Sequence, residues 1–179
     1  MKPKFSSLHL IDFAIINCRF NFTTITGNKQ IVNVMNSYEI DLDYSITYTN
    51  EVYRVFTKTS INFGENILEG YSIFAEGVSI FNFNKSEELT KTEKQQFLQF
   101  SAVSIGLSCL RGFIADLTSS SPYGRYLMPT IDLAELNNQK TKLISIANKE
   151  EGKTTSSLNK TKKSATKPKI TTSRRSINR

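Results

Sequence analysis

Residues Phe97 to Leu110 read F-L-Q-F-S-A-V-S-I-G-L-S-C-L, fourteen consecutive positions without a charge. At about 100° per residue, Phe100, Val103, Leu107, Leu110, Ile114 and Leu117 fall on one helical stripe of large side chains. Ser101, Ser104, Ser108, Gly112 and Ala115 form a second stripe, small and uncharged, on roughly the opposite side. A solvated face would carry Lys and Glu there. The pattern therefore predicts a helix covered on both sides, by its own domain on one and by another subunit on the other. Gly106 and Gly112 each cost ~1 kcal/mol against Ala in mid-helix, which close packing would offset. Two other readings stay open: burial in a monomeric core, and a membrane span. Against the span, the charge-free run is shorter than the ~20 residues a bilayer needs, and it carries Gln99 and three serines.

Working outward, Thr90 and Glu93 have capping-box spacing, so the helix should run from about Thr92 to Leu117, on the order of 40 Å. Ser119-Ser-Ser-Pro122-Tyr-Gly124 ends it. The connection Arg125-Tyr-Leu-Met-Pro129 is unusually apolar for a loop. Asp132 and Glu135 make a second capping box for a short helix through about Lys142, with Leu133, Leu136 and Leu143 on one face.

Upstream the period changes to two. In Tyr38–Tyr48, Tyr38, Ile40, Leu42, Tyr44, Ile46 and Tyr48 alternate with Glu39, Asp41, Asp43, Ser45 and Thr47, a strand with one buried and one wet face. Thr49-Asn50 begins a tight reversal. The next strand, about Val52 to Phe63, turns Tyr53, Val55, Ile61 and Phe63 inward and Arg54 and Lys58 outward, beside the acids of its partner. Gly64-Glu-Asn turns the chain again. A strand at about Leu68–Asn84 is apolar on both faces, with Gly77 as a candidate bulge. The first strand, about Leu8–Thr23, reads the same way: Leu8, Leu10, Ala14 and Ile16 on one face, Ile11, Phe13 and Ile15 on the other. Such strands lie centrally or meet another chain.

Four antiparallel strands, a long buried helix and L-R-G-F-I-A-D-L-T-S-S-S-P-Y-G-R-Y-L-M-P-T-I-D-L-A-E-L, from Leu110 to Leu136, together resemble the SecB family of export chaperones over roughly residues 5–145. The resemblance implies an α+β fold: a four-stranded antiparallel Greek-key sheet, one long buried helix and a short second helix. It also implies a homotetramer in which first strands pair and long helices pack between sheets. The activity implied is ATP-independent holding of unfolded polypeptides, such as preproteins for export, in hydrophobic grooves; some relatives instead guard an antitoxin. Flexible and aromatic apolar linings capture many sequences because they demand little geometric match. The lining expected here is Tyr123, Tyr126, Leu127, Met128, Ile131, Leu133 and Leu136, residues that could equally close a core beneath the loop. The expected oligomer contacts are Ser101, Ser104, Ser108, Gly112 and Ala115 on the helix, with Ile11, Phe13 and Ile15 on the first strand. Glu39, Asp41 and Asp43 form a candidate acidic face for the export motor SecA, although a solvated strand face explains them too.

Charge is uneven. Residues 141–179 carry eleven Lys and Arg against two Glu, a net +9, while residues 1–140 carry twelve against fourteen, a net −2. The expected organisation is a SecB-like domain over 1–145 and a basic Lys/Ser/Thr-rich tail over 146–179, too polar to offset its ordering entropy and hence disordered. That tail differs from the family's short, often acidic C-termini. It supports a rival reading, non-specific binding of nucleic acid or an anionic lipid surface through salt-sensitive contacts without base stacking.

Cys18 and Cys109 have no paired spacing, and Met1-Lys-Pro-Lys leads into no apolar signal region, so a cytoplasmic protein with reduced thiols is expected. No enzyme is expected: His9 is the one histidine, no phosphate-binding glycine loop appears, and no residue set has metal-ligand spacing, so neither cofactor nor metal is assigned.

Overall fold

The computed structural model describes residues 5–50, 52–84 and 88–143. The described residues fall into two units, divided between Ala134 and Glu135. The expected tail, 146–179, lies outside the described residues.

Four strands, β1 (Leu8–Thr23), β2 (Ile40–Thr49), β3 (Val52–Ile61) and β4 (Gly70–Phe83), form one antiparallel sheet in the order β1-β4-β3-β2. β2, β3 and β4 follow one another as hairpins and β1 returns beside β4, the Greek-key arrangement. The helices are α1 (Ile31–Asn36), α2 (Lys91–Ser119) and α3 (133–143). Thr90 caps α2 as its spacing implied: its hydroxyl accepts the Glu93 N–H, and the Glu93 carboxylate accepts the Thr90 N–H. Within the second unit, 135–143 is helical, and Gln139 donates to Glu135 one turn back at 3.0 Å.

α2 lies against one face of the sheet. Val103, Leu107, Leu110 and Ile114 are buried there, and Leu110 and Ile114 share a core with Ile61, Tyr71, Ile73 and Ala75. By length and composition alone α2 could cross a membrane, but the sheet already covers this stripe, as for a core helix. Gly106 sits at the closest approach: a Cβ would stand 3.1 Å from Ser79 Oγ and 3.2 Å from Thr57 Cγ2. Close packing thus accounts for Gly106. It does not account for Gly112, which is exposed with open space around it.

Four expectations are corrected. Phe100, placed on the buried stripe, is 46% exposed. Phe97–Ala102 form a π-helical turn, whose extra residue shifts the phase and buries Leu98 and Ala102 instead. The first strand is not apolar on two faces. Register shifts at Ile11 and Ile16 change its parity twice, so Leu8, Leu10, Phe13, Ile15, Phe20 and Phe22 all register with helix-side residues of β4. The bulge expected at Gly77 lies in β1 opposite it; Gly77 itself admits the Phe13 ring, whose Cε2 would be 2.7 Å from a Cβ there. Phe63 does not point to the core. Asn62, at φ 48°, reverses the chain after β3, and Phe63 packs on Phe74, across the sheet from the helix.

α1 was not foreseen. No side chain caps its N-terminus, and it is one short turn between β1 and β2. Its approach is pinned to the start of β4 by Lys29, whose ammonium lies 2.9 Å from the Glu69 carboxylate.

Candidate functional site

The connection after α2 is built around tyrosines. Tyr71, buried in β4, donates its hydroxyl to the Gly124 carbonyl at 2.9 Å and accepts the Tyr123 N–H at 3.0 Å. The Tyr123 hydroxyl accepts the Ile25 N–H at 2.6 Å, and its ring stacks on Phe22 at 5.1 Å. Thr118 accepts the Tyr126 N–H at 2.8 Å, and Arg111 reaches the Met128 carbonyl at 3.1 Å. Each hydrogen bond satisfies a backbone group that an irregular segment would otherwise leave to water.

This network divides the expected lining. Tyr126 and Met128 are core residues, the latter 1% exposed, and Tyr123 and Ile131 are half-buried against the same core. Leu127 alone turns fully outward, at 70% exposure. Leu133 joins Ile131, Thr130, Ser104, Leu107, Ser108 and Arg111 around a small cleft of about 90 Å³ beside α2. Leu136 falls in the second unit. Alternate residues of an apolar loop thus go in and out, which composition alone does not resolve.

Of the expected oligomer contacts, Ser108 and Gly112 are exposed, Ser101 and Ser104 half-buried, and Ala115 buried. Ser108 turns its hydroxyl back to the Ser104 carbonyl at 2.8 Å, leaving a smooth outer surface. Phe13 and Ile15 pack against the core, whereas Ile11, the extra residue of the first bulge, is 53% exposed on the outer strand β1. Glu39, Asp41 and Asp43 are exposed. Asp41 and Asp43 lie on the sheet face away from α2, with Asp43 opposite Lys58 and Lys58 opposite Glu76.

A larger cleft, about 920 Å³, opens at the other end of the sheet, where no expectation pointed. Pairing of β3 with β4 ends at Tyr53 and Phe81, while β1 stays paired to β4 through Leu8 and Phe83. β4 therefore runs on past the start of β3. The rings of Tyr48, Tyr53, Phe83 and Phe97 follow one another at 4.7, 5.4 and 6.2 Å. His9 lines this cleft. The sequence signal was present in the aromatics flanking both strand ends, but the gap between them depends on where the ladder stops.

Burial pushes the Tyr126 phenol up to about 12, with the neighbouring Tyr38 adding to the effect, and raises both cysteine thiols above their ordinary value. Both thiols therefore stay protonated and poorly nucleophilic at neutral pH. Among the described residues no cluster of His, Cys, Asp or Glu is placed to hold a metal ion.

Neither a protein-family model nor a curated protein matches this sequence. The structure does find a likeness: a SecB-like chaperone from Mycobacterium tuberculosis, in complex with a ChAD peptide from the antitoxin HigA1. The two superpose with a TM-score of 0.52 over 70% of this chain and 91% of that one, at 10% identity. The fold is SecB-like. A protein of unknown function from Streptococcus agalactiae also aligns, at 6% identity over 69% of this chain and 97% of that one, with a TM-score of 0.37. At 10% identity the SecB-like likeness speaks for the architecture of sheet, long helix and crossover; the side chains that would bind anything are this chain's own.

Proposed function

We propose that this protein is an ATP-independent holdase that binds unfolded polypeptides through apolar surface beside α2 and its following connection. What supports the reading is the SecB-like fold, shared over 91% of a chaperone that was solved with a peptide bound. The exposed apolar side chains Leu127 and Phe100 on and after α2 give such a surface its first contacts. The physical basis is capture without tight shape matching: an unfolded chain offers apolar segments, and burying them yields about 25 cal/mol per Å² removed from water. No covalent step is part of this activity, so the protein acts as a binder and not as an enzyme.

In this reading the working form is a homo-oligomer, a tetramer in the manner of the family. The outer surface of α2 around Ser104, Ser108 and Gly112 and the outer strand β1 around Ile11 are its contacts. The protein acts in the cytoplasm. Clients are preproteins handed to the SecA motor, with Glu39, Asp41 and Asp43 as the face that meets it. A second reading has one observation in its favour: the chaperone of like fold was solved with an antitoxin peptide, so the client here would be an antitoxin.

The test is binding of a permanently unfolded, reduced and carboxamidomethylated protein to the full chain, compared with the same protein in its folded form, with and without ATP. Nucleotide-independent capture of the unfolded form alone supports the holdase. Equal binding of both forms, or of neither, refutes it.

A further inference from the structure

The cleft at the end of the sheet carries a chemistry of its own. Its walls hold three carboxamides, Asn50, Asn82 and Asn84, and its apolar surface is the Tyr48–Tyr53–Phe83 ring series. Lys94, in the first turns of α2, is the one Lys, Arg, Asp or Glu among the described lining residues. Its ammonium lies 5.9 Å from the centre of the Phe83 ring, inside the range in which the ring face attracts a cation and keeps it at the cleft. No ion pair to Lys94 occurs among the described residues. Among the described residues the cleft therefore combines a flat aromatic surface, donors and acceptors suited to peptide amides, and one positive charge. At about 920 Å³ it lies within the size range of ligand clefts.

We propose that this cleft binds a short extended peptide segment carrying a carboxylate beside an aromatic side chain. The aromatic side chain stacks on Tyr48 and Tyr53, the carboxylate meets Lys94, and Asn50 and Asn82 hydrogen-bond the peptide amides. The choice of a peptide as ligand rests on the chaperone reading; the preference for an acidic-aromatic segment rests on the cleft alone. It makes the protein selective among unfolded chains, adding a specific anchor to otherwise permissive capture.

The chain contains no tryptophan, so indole fluorescence reports a bound peptide directly. The probes are the N-acetylated, C-amidated tetrapeptides Gly-Trp-Asp-Gly and Gly-Trp-Asn-Gly, titrated against the full chain. The Asp peptide should bind about fivefold more tightly, the worth of one partly screened ion pair. Lys94→Met keeps the apolar stem and should bring that ratio close to one. Tyr48→Ala, at a position 61% exposed, should weaken both peptides alike while preserving the ratio. The basic tail is present in every protein compared, so only a change on Lys94→Met assigns the preference to the cleft. An unchanged ratio in that variant, or no preference in the wild type, overturns the proposal. If the unfolded carboxamidomethylated protein still binds in that case, the cleft proposal fails alone. If neither it nor the tetrapeptides bind, the holdase reading fails with it.

Discussion

The hydroxyl of Tyr71 accepts the backbone N–H of Tyr123 at 3.0 Å, fastening the connection after the long helix to the start of β4. The same hydroxyl donates to the Gly124 carbonyl at 2.9 Å. Tyr71→Phe keeps the buried ring and strands both backbone groups. The expected loss is about 1–3 kcal/mol, measured by denaturant unfolding. Amide exchange at Tyr123 should accelerate more than exchange in β3, because the bonds lost are local.

Glycines on α2 predict opposite signs. At Gly112 an added Cβ meets nothing within 4 Å in the isolated subunit, so Gly112→Ala should stabilise the subunit by about 0.5–1 kcal/mol through helix propensity. At Gly106 the Cβ already crowds Ser79 and Thr57, so Gly106→Val should destabilise by about 1–3 kcal/mol. Thermal unfolding of the two variants checks the direction of each.

Gly77 and Phe13 should be energetically coupled. A Cβ at Gly77 would overlap the Phe13 ring at 2.7 Å, so Gly77→Ala alone is expected to cost about 1–3 kcal/mol. Against Phe13→Leu, which withdraws the ring edge, the same change should cost less. A double-mutant cycle with an interaction energy near zero would contradict this contact.

Tyr126 sets an alkaline limit. Its phenol titrates near 12 in the fold against an ordinary value of 10.0, so between these values the unfolded chain loses its proton while the folded chain keeps it. Stability is therefore fully present below pH 10 and falls as pH rises to 12, by on the order of 2 kcal/mol from this group. Tyr126→Phe should remove that part of the decline while changing stability little at pH 7, as read from denaturant midpoints across the alkaline range.

What the sequence disclosed followed from regular periods. β1 matched its expected span, β2–β4 lay within two residues of theirs, and Thr90 capped α2 with Glu93, because alternation and capping are local chemistry. What it concealed came from one-residue departures. The extra residues at Ile11 and Ile16 gather apolar side chains that seemed to face two ways onto one face, and the π turn at Phe97–Ala102 swings Phe100 outward. Nothing in residue type announces either. The expected binding loop suffered similarly. The apolar character that marks Tyr126 and Met128 as candidate lining is what packs them into the core, leaving Leu127 outside.

Ser108 tests the assembly. Its exposed position on the outer surface of α2 tolerates Glu in an isolated subunit, since the side chain faces solvent. If that surface joins subunits, Ser108→Glu should lower the oligomeric mass measured by light scattering without lowering helix content. An unchanged oligomeric mass would move the interface elsewhere.

The most direct measurement is suppression of aggregation when a chemically unfolded, slow-folding protein is diluted into the full chain without nucleotide, at ~0.15 M and ~0.5 M salt. Apolar capture predicts dose-dependent suppression at both, because screening by salt weakens exposed charges and leaves apolar burial intact. Suppression lost at the higher salt would assign the effect to the basic residues of 141–179, and no suppression at either would contradict the holdase account.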